Sequence, residues 1–221
     1  MLHACPSRGQ LVTYNGYVTT IGVLALQGDF SEHAAMLKRL RVEPLEVRTA
    51  EQLKGLDGLI IPGGESTTFG RLIDDFRLFE PLSAFVRSGS PTWGTCAGMI
   101  VLARHASDLP FPTLQALDIE VDRNAYGRQV DSFEADIDVP DIGAEPFHAI
   151  FIRAPVVASV GDGVEVLATC KRSDSEPEKP VAVRQGPVMA TSFHPELTDD
   201  TRFHRYFLDI VQSVGRPSSA K

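Results

Sequence analysis

The sequence lacks any apolar run that approaches the ~20 residues a helix needs to span a bilayer, so we expect no membrane partner. Cysteine is scarce as well: Cys5, Cys96 and Cys170 are spread over 221 positions. An odd number of widely spaced cysteines offers neither a disulfide framework nor a zinc site, and it is typical of a reducing compartment. These absences predict a cytoplasmic protein without a bound metal.

Positive charge is the next deficit. The chain has 21 lysine and arginine residues against 29 aspartate and glutamate residues, which gives a formal net charge of −8. Nucleic acid is therefore not an expected partner, since its phosphates would meet a repelling field. Hydrophobic residues still make up 43% of the chain and charged residues 23%, a composition that favours a globular protein over a disordered one.

Apolar strand-like segments alternate with helical patterns in the first half of the chain. Ile21–Leu26 and Gly58–Ile61 are almost continuously apolar, which is typical of strands buried on both faces of a parallel sheet. This alternation predicts an α/β fold with a mostly parallel central sheet, and the short strands after Leu117 predict antiparallel additions. The other predicted strands are Pro44–Val47, Pro91–Trp93, Ile119–Val121, Ser132–Ile137, Ala149–Ile152, Val164–Cys170, Val181–Arg184 and Val188–Ser192. The predicted helices are Ser31–Leu40 (with Ser31 as its N-cap), Ala50–Leu56, Phe69–Asp75, Leu78–Ser88, Ala97–His105 and Phe203–Val214.

The length favours a single domain, because domains commonly contain roughly 100–200 residues. We place this domain at residues 21–213. Residues 1–20 fall outside the strand and helix pattern, and we expect them to be a disordered N-terminal extension or a translation-start artefact. Residues 214–221 are expected to be a frayed C-terminal tail. The charged, proline-containing stretch Ser173–Lys179 predicts an exposed hairpin loop.

A candidate nucleophile lies in residues 94–98, which read GTCAG and follow a predicted strand. This is the glycine–x–nucleophile–x–glycine elbow pattern, with cysteine where hydrolases place serine. A helix that starts at Ala97 would direct its positive end at the Cys96 sulfur and favour the thiolate, and the Ala97 N–H would help to hold an oxyanion. A buried structural cysteine beside a tight turn is the alternative interpretation.

A candidate base and its partner lie in residues 192–196, which read SFHPE. In an extended segment, residues two apart face the same side, so His194 and Glu196 can project together. A histidine beside a thiol can act as its base, and a carboxylate on the far ring nitrogen fixes the tautomer. Cys96, His194 and Glu196 thus form a candidate triad, with a lone surface histidine as the alternative.

A third candidate element is the turn at residues 62–66, PGGES, which directly follows a predicted buried strand. Adjacent glycines let backbone N–H groups approach a ligand closely. Loops after strand C-termini face the ligand crevice of an open α/β sheet, so Gly28, Gly64 and Cys96 should converge. Phosphate binding is the rival interpretation, but Glu65 stands where phosphate would lie and no Walker lysine is present.

The combination of GTCAG with a later HPE resembles the class I glutamine amidotransferases. More closely, the chain resembles the family of glutaminase subunits of pyridoxal 5′-phosphate synthase. The resemblance extends over about residues 21–211, and it lies in residues 24–28 (LALQG), 62–68 (PGGESTT), 123–124 (RN), 126–134 (YGRQVDSFE) and 151–155 (FIRAP). It implies a three-layer, flavodoxin-like domain that needs no cofactor of its own.

The resemblance also implies roles for individual residues. Cys96 would be the nucleophile, His194 the base and Glu196 its partner. L-glutamine would be the substrate, and its ammonia would pass to a separate synthase subunit that makes pyridoxal 5′-phosphate. The implied glutamine contacts are Gly64, Glu65, Ser66, Arg123, Ile152 and Arg153, and the implied oxyanion residues are Gly63, Gly64, Ala97 and Gln27.

The charges of free glutamine are consistent with such a pocket. Glu65 can take the ammonium group, while Arg123 or Arg153 can favour the carboxylate. Surface ion pairs are the alternative interpretation of these arginines. Two rival functions remain: a glutaminase that serves another amidotransferase, in histidine or purine synthesis, and a non-enzymatic α/β protein whose cysteine senses oxidation or assists folding. The stretch at residues 127–134, GRQVDSFE, argues against the first rival, and the HPE and GGES segments argue against the second.

Overall fold

The computed structural model describes residues 13–14, 17–123, 132–172 and 176–215. Its helices are α1 (Phe30–Arg39), α2 (Ser66–Asp75), α3 (Phe79–Arg87), α4 (Ala97–Leu102) and α5 (Arg202–Gly215), with short 3₁₀ helices at Ala50–Leu53, Pro140–Ile142 and Pro195–Leu197. Its strands are β1 (Thr13–Tyr14), β2 (Tyr17–Val18), β3 (Ile21–Leu24), β4 (Leu45–Val47), β5 (Gly58–Ile61), β6 (Thr92–Thr95), β7 (Ala103–Ala106), β8 (Leu117–Asp122), β9 (Ser132–Ile137), β10 (Phe147–Ile152), β11 (Val156–Val160), β12 (Glu165–Cys170), β13 (Lys179–Gln185) and β14 (Val188–Thr191).

A seven-stranded sheet forms the centre of the fold, in the order β12-β13-β14-β6-β5-β3-β4. The five strands from β14 to β4 are mutually parallel, whereas β12 and β13 join the edge in antiparallel pairing. This confirms the predicted α/β class, the mostly parallel centre and the antiparallel additions. Outside this sheet, β11-β8-β7 form a three-stranded sheet, and β9 pairs with β10.

Burial on both faces of the central sheet explains why its strands are almost continuously apolar. Successive side chains of β5 enter opposite cores: Leu59 and Ile61 pack with residues of α2, α3 and α4, whereas Ile60 packs with residues of α1 and α5. All three are fully buried. The helices therefore cover the sheet on two sides, which gives the three-layer arrangement that the resemblance implied.

Among the predictions about local structure that are wrong, three concern the end of α4, the strand β11 and the N-cap of α1. Helix α4 ends at Leu102 rather than His105, because Ala103–Ala106 pairs as β7 with β8. The segment Val156–Val160, which no strand was predicted to contain, forms β11 against β8. Ser31 lies inside α1 and does not cap it, since Asp29 occupies the N-cap position.

The predicted N-terminal extension and tail are only partly described. Within residues 1–20, β1 and β2 form an antiparallel pair, and residues 1–12, 15 and 16 lie outside the described part. Helix α5 continues to Gly215, and residues 216–221 of the predicted tail lie outside the described part as well. Of the predicted loop Ser173–Lys179, residues 173–175 are not described, and Lys179 already belongs to β13. Among the described residues, no helix combines the length and apolarity required to cross a membrane.

Helix α4 lies unusually close to β5 at Gly98. A Cβ atom at this position would lie 2.0 Å from the carbonyl oxygen of Ile61, so any side chain here would force the helix away from the strand.

We therefore expect Gly98→Ala to lower the free energy of unfolding by about 1–3 kcal/mol, the range for overpacking a tight interior. Urea denaturation would measure this loss. Gly215→Ala is the matched control, because a Cβ there would meet no atom within 4 Å. Equal stability of Gly98→Ala and the wild-type protein would contradict the close approach.

Candidate active site

Cys96 lies on a strained turn between β6 and α4. Its backbone has φ 47° and ψ −103°, a left-handed conformation that costs a non-glycine residue about 1–3 kcal/mol. The turn is held by a hydrogen bond from the Cys96 N–H to the Thr191 carbonyl oxygen at 2.8 Å. A Cβ at Gly94 would lie 2.5 Å from the Gly98 backbone, so the turn can close this tightly only with a glycine there. The predicted elbow is present in the structure.

His194 and Glu196 lie beside this turn, after the end of the neighbouring strand β14. The Nδ1–H of His194 donates to Glu196 Oε1 at 2.8 Å, and the side chains are 4% and 0% exposed. The local conformation differs from the predicted extended one, because residues 195–197 form a 3₁₀ turn with Pro195 in its first position. That turn folds Glu196 back onto the His194 ring.

Asp29 is a second carboxylate on the same ring, and sequence reasoning did not assign it a role. Its Oδ2 lies 3.2 Å from His194 Nδ1, and its position between β3 and α1 places it at the same sheet edge as Cys96. The signal was available, because the loop after β3 was expected to converge on this edge. Asp29 therefore shares the Nδ1–H donor of His194 with Glu196.

The surroundings of His194 favour its protonated form. Burial alone would lower the pKa of this imidazole, but hydrogen bonds with Asp29, Cys96 and Glu196 outweigh it and raise the pKa well above 6.5. Burial has the opposite sign for the carboxylate and raises the pKa of Glu196, while its hydrogen bond with His194 acts against that rise. The ring and the carboxylate therefore depend on each other for their charges.

Asp29, His194 and Glu196 are also close enough to be considered as metal ligands, since one ligand atom from each lies within 4.8 Å of the others. Both carboxylates, however, approach the same ring nitrogen at hydrogen-bond distances of 2.8 and 3.2 Å. A protonated Nδ1 that donates to oxygen cannot also bind a metal, since a histidine ligand must offer a bare nitrogen. The arrangement fits a hydrogen-bonded base.

Glu65 and Arg123 meet at the start of α2. The Glu65 carboxylate caps this helix by accepting from the N–H groups of Thr67 and Thr68 at 2.9 and 2.6 Å. Burial tends to raise its pKa, but the hydrogen bonds from Thr68 and Thr67 lower it to about 2. Arg123 donates to Thr67 Oγ1 at 3.0 Å and to the Asp108 carbonyl oxygen at 2.6 Å. The two charged side chains thus lie on the same end of one helix.

Ser66 is one of the implied glutamine contacts. It is buried, and it lines a cavity of about 520 Å³ together with Gly70, Ile73 and Phe111. This largely apolar cavity is bounded by α2, α3 and the segment 109–114, and Cys96 is not among its lining residues.

The end of β10 contacts the cysteine directly. The carbonyl oxygen of Ile152 lies 3.9 Å from Cys96 Sγ, and the next residue, Arg153, has a positive φ of 44°. Both side chains are exposed. The backbone turn at Ile152 and Arg153 is therefore adjacent to the sulfur, as the predicted glutamine contacts require.

Three of the predicted oxyanion residues, Gln27, Gly63 and Gly64, lie on two loops that interlock. Gln27 receives the Glu65 N–H on its Oε1 at 3.4 Å and donates from Nε2 to the Glu65 carbonyl oxygen at 3.3 Å. Its amide rests on Gly64, which has φ 147° and no room for a Cβ. Gly63 lies against the His194 ring. Ala97 is the first residue of α4, where a backbone N–H has no partner within the helix.

Comparison with known proteins gives a consistent family. The model of the SNO glutamine amidotransferase family matches residues 23–213. The protein named pyridoxal 5′-phosphate synthase subunit PdxT of Frankia alni is 56% identical over 197 residues, which are 88% of this chain and 96% of that protein. The PdxT protein of Pelotomaculum thermopropionicum is 54% identical over 196 residues, 89% of this chain and 97% of that protein.

Solved structures agree with these relatives. A crystal structure described as a glutamine amidotransferase is 51% identical, covers 87% of this chain and 98% of that chain, and has a TM-score of 0.79. A protein described as part of a putative GMP synthase, from Thermoplasma acidophilum, is 19% identical with a TM-score of 0.63, and covers 89% of this chain and 95% of its own. At that identity the second likeness concerns the fold alone.

The contact between Asp29 and His194 gives a prediction. We expect Asp29→Asn to lower the pKa of His194, because the variant removes one of the two carboxylates that stabilise the charged ring. The protonated ring would then be lost at a lower pH than in the wild-type protein. NMR titration of the His194 ring would measure the shift.

Asp199→Asn is the matched control, since Asp199 is a fully exposed carboxylate that pairs with Arg39. An unchanged His194 titration in Asp29→Asn would show that Asp29 does not stabilise the ring charge.

Proposed function

Because the chain belongs to the SNO glutamine amidotransferase family, we propose that it hydrolyses the side-chain amide of L-glutamine to give L-glutamate and ammonia. One observation carries the chemical assignment. Cys96 occupies a strained elbow beside His194, and His194 donates from Nδ1 to the buried Glu196 at 2.8 Å. This is the order of contacts that a nucleophile, a base and an orienting carboxylate require.

The reaction begins with attack of the Cys96 thiolate on the amide carbon of glutamine. The oxyanion that forms is held by the Ala97 N–H and by the turn at Gly63 and Gly64, with Gln27 beside that turn. Protonated His194 gives its proton to the departing ammonia, and a γ-glutamyl thioester remains on the sulfur. His194 then removes a proton from water, which attacks the thioester and releases glutamate.

The charged side chains at the N-terminus of α2 complement the ammonium and carboxylate groups of free glutamine. The Glu65 carboxylate keeps its negative charge over the physiological range, because its pKa is about 2, and it retains acceptor capacity for the substrate ammonium beyond its helix-capping bonds. Arg123 or Arg153 pairs with the substrate carboxylate. Backbone groups of Gly64, Ser66, Ile152 and Arg153 complete the site.

The ammonia is proposed to pass to a synthase subunit that uses it to form pyridoxal 5′-phosphate. The Frankia and Pelotomaculum relatives support this proposal, because both are named as pyridoxal 5′-phosphate synthase subunits. Each is identical to this chain at more than half of the aligned positions. A non-enzymatic cysteine sensor would need neither the buried carboxylate behind His194 nor the turn that packs against its ring. The chemistry of the site therefore favours the enzyme.

The nucleophile assignment predicts the effect of removing one sulfur. Cys96→Ala should abolish glutamine hydrolysis while leaving the fold intact, because no other group can form the thioester. Release of glutamate from glutamine would be measured in the presence of the synthase subunit. The same complex should still make pyridoxal 5′-phosphate when free ammonia is supplied.

Cys170→Ala is the matched control, as Cys170 is a partly buried cysteine at the end of β12, and it should retain full activity. Glutamine turnover by Cys96→Ala at the wild-type rate would overturn the assignment.

A second prediction concerns activity without the partner. The loop from Gln27 to Asp29 interlocks with the Gly63 and Gly64 turn, and free hydrolysis would waste glutamine. We expect the synthase to complete the oxyanion site on docking, as induced assembly of a catalytic site does in other enzymes. One missing oxyanion donor costs roughly 10²–10³ in kcat, so the isolated protein should be slower by about this factor. Equal rates at saturating glutamine, with and without synthase, would contradict the gate.

A further inference from the structure

A chain of buried polar groups extends behind the candidate triad. His33 of α1 and His204 of α5 are both 0% exposed, and His33 Nδ1 lies 2.9 Å from His204 Nε2. The other ring nitrogen of His33, Nε2, lies 3.1 Å from Thr95 Oγ1 and 3.4 Å from Glu196 Oε2. His33 therefore connects the two helices on one face of the sheet to the carboxylate that faces His194.

Glu196 has one oxygen that the triad does not use. Its Oε1 accepts from His194, whereas its Oε2 is buried and makes no hydrogen bond within 3.5 Å among the described residues. His33 Nε2 is the ring nitrogen that faces this oxygen. A buried carboxylate without a donor on one oxygen is costly, so the state of the His33 nitrogen matters for Glu196.

The contacts allow two arrangements of the hydrogen bonds, which differ in the tautomer of His33. Burial lowers the pKa of both His33 and His204, so each ring is neutral and carries one N–H. If the proton of His33 is on Nε2, it is donated to Thr95 Oγ1 and lies beside Glu196 Oε2, 3.4 Å from the nitrogen, while Nδ1 accepts from His204. The opposite tautomer would turn a lone pair of His33 towards the carboxylate. When His33 carries its proton on Nε2, His204 donates from Nε2 and its Nδ1 has no proton. This agrees with the structure, in which His204 Nδ1 has no hydrogen-bond partner among the described residues.

We propose that His33 is a positioning residue for glutamine hydrolysis, whose Nε2–H holds the Glu196 carboxylate so that Oε1 faces His194. The proposal rests on the triad of the proposed function. His33 would not touch glutamine, and it would act through Glu196 on the orientation and charge of His194. Neutral His33 suits this role, because a second buried cation beside His194 would oppose the charge that Glu196 stabilises.

The proposal implies a pH dependence with a definite sign. The charged or titratable groups that face Glu196 are His194, His33 and, more distantly, Asp29. Burial raises the pKa of Glu196, and loss of the His33 donor would raise it further. Without the His33 donor, Glu196 would stay protonated up to a higher pH than in the wild-type protein. A protonated Glu196 cannot stabilise the His194 cation. The acid limb of kcat/KM for glutamine should move to higher pH.

Two amide variants of His33 separate this role from simple packing. The amide nitrogen of a glutamine can reach the place of the histidine Nε2, whereas that of an asparagine is one methylene shorter and stops near Nδ1. We expect His33→Asn to lower kcat/KM about tenfold near the acid limb, with the limb moved to higher pH. This is the lower end of the roughly 10–100-fold loss known for groups that orient metal-binding histidines, used here by analogy. His33→Gln should restore the wild-type limb.

His204→Gln is the control, because it disturbs the same buried cluster, does not contact Glu196, and can keep an amide donor at the place of Nε2, where it faces His33 Nδ1. The variants are compared in the complex with the synthase subunit, with thermal melting recorded for each. An acid limb that moves in His33→Asn and returns in His33→Gln supports the proposal. An unmoved limb in His33→Asn, or an equal movement in His204→Gln, overturns it.

A spectroscopic measurement is independent of glutamine turnover. NMR can follow the resonance of the His194 Nδ1–H proton as the pH is lowered. We expect this resonance to disappear at a lower pH in the wild-type protein and in His33→Gln than in His33→Asn. The same persistence in all three proteins overturns the positioning role. Failure of the proposed function would be seen separately, as glutamine turnover by Cys96→Ala. That outcome would not change the comparison of the His194 resonance among the His33 variants.

Discussion

The strained backbone at Cys96 is the constraint on which the other parts of the site depend. Strands β6 and β14 are parallel neighbours, with Gly94 opposite Ala190 and Thr95 opposite Thr191. Their chains therefore leave the sheet at the same edge, and the sharp turn at Cys96 keeps the sulfur at that edge. The segment after β14 carries His194 to the same place. A wider turn would move the Cys96 sulfur away from the His194 ring even if both residues were kept.

The N-cap residues near this edge of the sheet do not follow the usual capping preferences. Asp29 occupies the N-cap position of α1, where an aspartate side chain commonly accepts from the first helical N–H groups. It makes no such bond, and its carboxylate faces the His194 ring instead. Glu65 shows the reverse case, since it caps α2 with a side chain that is not a preferred cap. Conflicts between local rule and structure of this kind are expected at functional sites.

The order of strands and helices around the site was predictable because burial on both sheet faces leaves a strong apolar signal, as in Gly58–Ile61. The convergence of Cys96, His194 and Glu196 was predictable because short motifs with glycine and proline constrain the chain locally. The end of α4 was not, since the apolar run from Met99 to Ala103 fits a helix or a strand equally well, and only pairing with β8 decides it. The same holds for β11, whose residues are mostly exposed and gain their strand conformation from pairing with β8, a partner distant in sequence. Contacts between distant residues, such as His33 with Glu196, leave no local pattern at all.

Three carboxylates at the site show how burial assigns different roles to similar groups. Glu65 is exposed and receives hydrogen bonds from a helix end, so it remains charged and can meet a cation from solution. Glu196 is fully buried, and its charge depends on the rings on either side of it. Asp29 lies between these extremes, partly exposed, on the same loop as Gln27. That loop contacts the His194 ring through Asp29 and the Glu65 backbone through Gln27. Because one short segment makes both contacts, a displacement of the loop would change the surroundings of His194 and the turn at Gly63 and Gly64 together.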